Sequence, residues 1–319
     1  MVPSFTDVRS AAARIAPYAV RTPLVEAPAL NALTGGRIFL KLETLQRTGS
    51  FKFRGACNRL AMIPHSARDK GVVAFSSGNH AQGVAAAAAL FGMPAVIVMP
   101  SDAPRPKIEG TRSYGATIVE YDRLRDDREA IAAAICAERQ AMLVKPFDDA
   151  GIIAGQGTAG LEIAEDAARF GVTLDEVLAP CSGGGLVSGV ALALRGAGVA
   201  ALVHSVEPEN FDGLKRSLEA GARVKAPGGA LSIADALMAP VPGEIVFELA
   251  RELLAPGLAV SDAELERAMA FAARELRLLV EPGGAAALAA VLAGKIDAQG
   301  RCVALILSGG NADFDVRLR

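Results

Sequence analysis

Lys52 sits between two aromatic residues in the run Ser50-Phe51-Lys52-Phe53-Arg54-Gly55. Withdrawn from water among such neighbours, an amine loses its proton more readily than a solvated one, which suits attack on an aldehyde to form an imine. A lysine that snorkels at the surface is the ordinary alternative. A second segment bears on the choice. The apolar Leu178-Ala179-Pro180-Cys181 runs into Ser182-Gly183-Gly184-Gly185-Leu186, and an apolar stretch over 187–194 follows without a break. Strand, glycine run and helix in that order let several backbone N–H groups converge on one anion, with the positive end of the helix adding to the attraction. A triple glycine is also an ordinary flexible turn. Taken together, the two segments fit an aldehyde cofactor that carries a phosphate, the lysine serving its carbonyl carbon and the glycines its anion. Two further turns, Ser76-Ser77-Gly78-Asn79-His80 and Ser308-Gly309-Gly310-Asn311, offer main-chain donors and short polar side chains.

All four segments lie at or near the ends of strand-like runs. Strands are expected at 37–43, 72–75, 95–99, 117–120, 176–179, 201–206 and 302–307, short stretches often rich in Val, Ile and Leu. Continuous apolar strands are buried on both faces, the mark of a parallel sheet. Helix-like segments alternate with them, the first at 6–15. Gly92 and Pro94 end the 84–90 run, Gly171 ends 161–170, and Ser261-Asp262-Ala263-Glu264 is a capping box. The alternation implies an open, mainly parallel α/β sheet whose ligands bind beyond the carboxyl ends of the strands. Five alanines at 85–89 are accounted for by close helix packing. The Pro- and Gly-rich stretch 224–243 reads as an irregular segment inside one domain.

A chain of 319 residues, 51% hydrophobic and 21% charged, is expected to be globular and to hold two domains. The net charge of -2 provides no basic field, so neither nucleic acid nor an anionic membrane surface is an expected partner, and the ligand should be small. The absence of Trp also argues against base-stacking platforms. Cys57, Cys136, Cys181 and Cys302 form no C-x-x-C pair, so a disulfide framework or zinc site is not expected. The first ten residues lack the basic-then-apolar order of a signal peptide, and no apolar run reaches membrane-spanning length. A reducing cytoplasm is the expected location.

The four segments, in this order and spacing, resemble the fold type II pyridoxal-phosphate enzymes, the threonine/serine dehydratase and serine racemase family, over nearly the whole chain. The resemblance implies two open, mainly parallel α/β domains of the tryptophan synthase beta-like type, with the cofactor between them. Residues 1–48 and 149–319 would form the large domain and 49–148 the small one. It implies pyridoxal 5'-phosphate bound through Lys52 as a Schiff base, with Phe51 against its ring and Asn79 on its ring hydroxyl. Backbone N–H groups of Ser182, Gly183, Gly184, Gly185 and Leu186 would hold the phosphate, Ser308 would meet the pyridine nitrogen, and Glu281 would lie near the ring. A neutral hydroxyl at that nitrogen makes the ring a weaker electron sink, which fits β-elimination better than transamination. The turn Ser76, Ser77, Gly78, Asn79 and His80 would surround the substrate carboxylate, His80 through its backbone. Many dedicated threonine dehydratases have alanine where Ser77 stands, whereas serine racemases carry a serine that acts as acid/base opposite the lysine.

The implied activity is dehydration and deamination of L-threonine or L-serine to a 2-oxoacid and ammonia. Serine racemisation and 3-hydroxyaspartate dehydration are the alternatives; β-replacement and a silent ligand-binding protein stand further off. Arg128 aligns with a serine racemase position that meets the far carboxylate of a dicarboxylic ligand, although beside Glu129 it is expected on a helix surface. Gly155-Gln156-Gly157-Thr158 also matches the family and is expected as a close-packed helix start. Glu207, the carbonyl of Phe211 and, one residue off register, Asp212 resemble the segment that holds Mg2+ or Ca2+ in metal-dependent members. Relatives are commonly homodimers or homotetramers. The chain ends soon after Asn311, so isoleucine feedback through a C-terminal regulatory region is not expected.

Overall fold

The computed structural model describes residues 1–76, 78–103 and 105–312. Its strands are β1 (Leu24–Glu26), β2 (Arg37–Leu42), β3 (Val72–Phe75), β4 (Ala95–Pro100), β5 (Thr117–Tyr121), β6 (Met142–Leu143), β7 (Glu176–Pro180), β8 (Leu202–Pro208), β9 (Leu258–Val260) and β10 (Cys302–Leu307). They form a six-stranded sheet in the order β1-β2-β10-β7-β8-β9 and a four-stranded sheet in the order β5-β4-β3-β6. Every pairing is parallel except that of β1 with β2. The mixed α/β, mainly parallel architecture expected from the sequence is the one observed.

Alternation along each strand explains burial on both faces. In β10, Val303, Leu305 and Leu307 join one core with the helix Ala286–Leu292, while Cys302, Ala304 and Ile306 join another with the helices Ala150–Phe170 and Gly185–Gly196. In the smaller sheet, Val72, Ala74, Ile97 and Met99 face the helices Lys52–Ala61 and Asn79–Leu90. Val73, Phe75, Val96 and Val98 face the helix Arg128–Arg139. Ala85 to Ala88 are buried in that first core, as close helix packing requires.

The helix signals hold. Ser4 and Ser261 each make a capping box, with Asp7 and Glu264 as the reciprocal partners. Gly171 closes the helix Ala150–Phe170 in a left-handed conformation. Three strands escaped the sequence, β1, β6 and β9. Each has two or three residues and lies at a sheet edge, too short to show a period. The Gly155–Thr158 run is in the second turn of its helix, not at its start. There a Cβ on Gly155 would lie 2.6 Å from the Arg54 carbonyl oxygen, and one on Gly157 2.6 Å from that of Gly189. Only glycine lets this helix touch both the lysine-bearing helix and the glycine-loop helix. All four cysteines are free thiols, and no described helix is long and apolar enough to cross a membrane.

Candidate active site

The carboxyl ends of β3, β7 and β10 open onto one cleft of roughly 1150 Å³, its mouth included, which both sheets help to line. Lys52 starts the helix Lys52–Ala61, and an antiparallel bridge between Ser50 and Gly309 ties the preceding loop to the end of β10. The Phe51 N–H donates to the Ser308 carbonyl at 3.1 Å. Lys52 Nζ donates to the Pro146 carbonyl at 2.8 Å and lies 5.2 Å from the centre of the Phe51 ring. Burial pushes its ammonium down to about 8. No carboxylate pairs with it among the described residues, so no ion pair offsets the loss of water.

Across the cleft, β7 runs into the glycine loop and the helix Gly185–Gly196. Gly184, at φ 91°, adopts the left-handed conformation that turns successive N–H groups toward one point. A Cβ on Gly183 would sit 2.4 Å from the Phe147 ring, one on Gly184 2.4 Å from Val246 and one on Gly185 2.7 Å from Gln156 Oε1. Positions 183–185 have no room for side chains, leaving backbone N–H groups as their chemistry. Ser182 Oγ accepts the Ala239 N–H at 3.2 Å and so draws the segment 224–243 against the loop.

Asn79 begins the helix Asn79–Leu90 and is gripped at both ends of its amide. Its Nδ2 donates to Glu281, and its Oδ1 accepts from Asn311 Nδ2 at 2.9 Å. One of its two N–H bonds remains for the cleft. Asn311 Nδ2 also donates to the Thr48 carbonyl at 2.7 Å, a positioning role not visible in its motif. Burial pushes the Glu281 carboxyl up to about 7, against the pull of the Asn79 hydrogen bond. Ser308, 4% exposed, closes the cleft floor at the end of β10.

Ser76 Oγ accepts the Gly78 N–H at 3.2 Å, folding the turn after β3; Ser77 lies outside the described residues. The His80 imidazole bonds the Val144 carbonyl at 2.9 Å, and burial, with Lys52 nearby, pushes it down to about 3. It is a neutral packing group.

Several lining residues were not singled out by the sequence. Phe147 and Pro146 pack around the lysine and the glycine loop, and Lys107 reaches Asp235 at 2.6 Å, joining the helix Arg105–Ser113 to the single turn Asp235–Leu237. No local motif marks them; they are brought in by tertiary contact alone. Arg128, first residue of its helix, is exposed as expected but also lines the cleft, its guanidinium 5.3 Å over the Phe75 ring.

Glu207, Phe211 and Asp212 do not line the cleft. The buried Glu207 carboxylate accepts the Leu214 and Lys215 N–H groups at 2.9 and 2.8 Å, and Asp212 pairs with Arg216 at 2.7 Å. These acidic groups thus start the helix Gly213–Ala220. Among the described residues no group of three or more His, Cys, Asp or Glu side chains is placed to hold a metal ion.

Residues 15–309 match the family described as pyridoxal-phosphate dependent enzyme. An L-threo-3-hydroxyaspartate ammonia-lyase from Pseudomonas sp is 44% identical, over 98% of this chain and 96% of that protein. Among solved structures, a threonine deaminase from T.th. superposes with a TM-score of 0.93 at 44% identity, covering 98% of this chain and 100% of that one. Maize serine racemase also reaches 0.93, at 36% identity and 98% and 95% coverage.

Proposed function

As the chain belongs to the pyridoxal-phosphate dependent enzymes, we propose that its cleft converts a hydroxy amino acid by β-elimination into a 2-oxoacid and ammonia. The observation that carries this reading is a lysine short of solvation facing a loop from which side chains are sterically barred. These residues fit the cofactor, an aldehyde at one end and a phosphate at the other. Lys52 would be the amine for the aldehyde, residues 182–186 the donors for the phosphate, and Phe51 the packing surface for the ring. The free N–H of Asn79 would serve the ring hydroxyl and Ser308 the ring nitrogen, while Glu281 holds Asn79 in place.

Bound there, pyridoxal phosphate supplies an electron sink that makes the Cα proton of an amino acid acidic. Lys52 Nζ, neutral for a useful fraction of the time near pH 8, is the base that takes this proton. Main-chain N–H groups of the Ser76–His80 turn bind the α-carboxylate. Loss of the β-hydroxyl as water leaves an enamine that tautomerises and takes up water, releasing the 2-oxoacid and ammonia. Ser77, in the role of an acid on the opposite face, would divert part of the flux to the other enantiomer. We take residues 49–148 as a small domain, and 1–48 with 149–319 as the large one, which close to exclude water. A homodimer or homotetramer in a reducing cytoplasm completes the reading. The elimination draws on no metal ion; Mg2+ or Ca2+ at Glu207 would have to take that carboxylate from the Leu214 and Lys215 N–H groups, in a structural or activating role.

Lys52 makes the capture of cofactor pH-dependent. Below the pH at which half of its ammonium has ionised, the association rate of cofactor-free protein with pyridoxal phosphate should rise about tenfold per pH unit, then level off above about 8. Stopped-flow absorbance would record it, and a flat profile through neutral and mildly alkaline pH would contradict the assignment.

Arg128 favours a more specific substrate. Its guanidinium lines the cleft with no carboxylate partner among the described residues, the complement of a second carboxylate, as in 3-hydroxyaspartate. The deciding experiment incubates the loaded protein with L-threo-3-hydroxyaspartate, L-serine, D-serine and L-threonine, following 2-oxoacid and chirality together. Arg128→Leu should raise KM for the dicarboxylic substrate about 10- to 100-fold and leave that for serine unchanged. Equal KM values in both proteins would remove the dicarboxylate reading only. Inversion outrunning 2-oxoacid release would make the protein a racemase, and silence with every substrate would overturn the elimination.

A further inference from the structure

Gln156 lies on the helix Ala150–Phe170 with its side chain 1% exposed, and neither Oε1 nor Nε2 has a hydrogen-bond partner among the described residues. A buried amide in that condition is destabilising at both ends, because each group has given up water and gained nothing. Its position explains why. The amide is wedged between two of the elements that build the cleft. A Cβ on Gly185, the first residue of the glycine-loop helix, would lie 2.7 Å from Oε1, and one on Gly55, one turn beyond Lys52, 3.2 Å from Nε2. Gln156 is also part of the cleft wall. Rotating the amide by half a turn exchanges O and N without changing its shape, and presents an N–H donor on the Gly185 side.

We propose that Gln156 is a ligand of the cofactor phosphate: its Nε2–H donates to a phosphate oxygen held by the glycine loop, supplementing the backbone donors with a side-chain donor from a different helix. This rests on the reading of the cleft as a pyridoxal-phosphate site. The two neighbouring glycines follow from the same role, since Gly155 and Gly157 let the helix come close enough for a side chain of this length to reach the loop. The amide is neutral, so it adds a hydrogen bond to the anion without a further charge.

The test compares wild type with Gln156→Leu and Gln156→Glu in cofactor affinity, in the phosphorus NMR resonance of the bound phosphate, and in melting temperature with and without cofactor. Gln156→Leu should bind pyridoxal phosphate about 10- to 100-fold more weakly and shift the phosphorus signal. Without cofactor it should melt no lower than wild type, because an unpaired amide has been removed. Gln156→Glu should bind weaker still at neutral pH and recover as the carboxyl is protonated. Affinity within about twofold of wild type together with an unmoved phosphorus signal would overturn the proposal. So would an equal loss of melting temperature with and without cofactor, or failure of both variants to fold, since either makes the residue structural. A wild type that took up no cofactor would overturn the functional reading as well; one that took it up but released no 2-oxoacid would overturn only that reading.

Discussion

Replacing Lys52 by alanine should lower the rate of 2-oxoacid release by at least about 10⁴-fold while leaving the fold intact. Lys52 is the first residue of its helix, and its side chain reaches into the cleft to a single carbonyl, that of Pro146. Its removal therefore leaves the core of that helix, Phe53, Ala56, Cys57 and Leu60, untouched. Two measurements separate chemistry from stability: circular dichroism with thermal melting, which should match wild type, and the mass added by pyridoxal phosphate after borohydride reduction, which should vanish. Activity within about tenfold of wild type would assign the base to another residue.

Arg54, two residues further on, should matter as much to stability as Lys52 does to chemistry. Its guanidinium is 1% exposed and grips two carboxylates, Glu43 at 2.8 and 2.9 Å and Glu162 at 2.7 and 2.8 Å. Lys41 Nζ, also fully buried, joins Glu162 at 2.5 Å and the Thr22 carbonyl at 2.7 Å. Thr22 Oγ1 donates to Glu43. Two cations thus meet two anions, and every donor of Arg54 points at an acceptor. Burial raises a carboxyl's pKa, yet in Glu43 the adjoining guanidinium overrides it and holds the group below the usual range. Arg54→Met leaves Glu43 charged, dry and without its main partner, which should cost about 3–5 kcal/mol in urea unfolding. A loss of less than about 1 kcal/mol would mean that water enters the cluster as it does at a surface pair.

The two substitutions mark what the sequence could and could not show. Lys52, the glycine run and the turns beside β3 and β10 were legible because each is a local arrangement at the end of a periodic strand. Seven strands and their mainly parallel pairing followed from the same periodicity, while the division into two sheets came with the resemblance. Ser261 and Gly171 marked helix ends by local chemistry alone. Arg54 and Glu162 stand 108 positions apart, and nothing in either neighbourhood announces the other. Phe147, Lys107 and Asp235 were missed for the same reason. Their roles arise only when chain segments distant in sequence converge on the cleft. Gln156 was in view as part of a glycine-rich run, but its isolation inside the fold is a property of what surrounds it. The acidic run at 207–212 resembles a cation-holding segment, and in the fold Glu207 accepts the first N–H groups of a helix.

The pairing of β2 with β10 matches Arg37–Leu42 against Cys302–Leu307 in unbroken register. The smaller sheet comes from one continuous stretch between Val72 and Leu143, so during synthesis it can assemble as soon as that stretch leaves the ribosome. The larger sheet has to wait. Its second strand is made long before the neighbour that will separate it from β7. Until the last strand arrives, Ser50 has no Gly309 to bridge and Asn79 no Asn311 to hold it. A nascent or truncated chain therefore carries the reactive lysine without the frame that aims it, and acquires its chemistry in a single late step. The same delay leaves an apolar strand edge open until β10 has been made, the interval in which protection by a chaperone is most valuable.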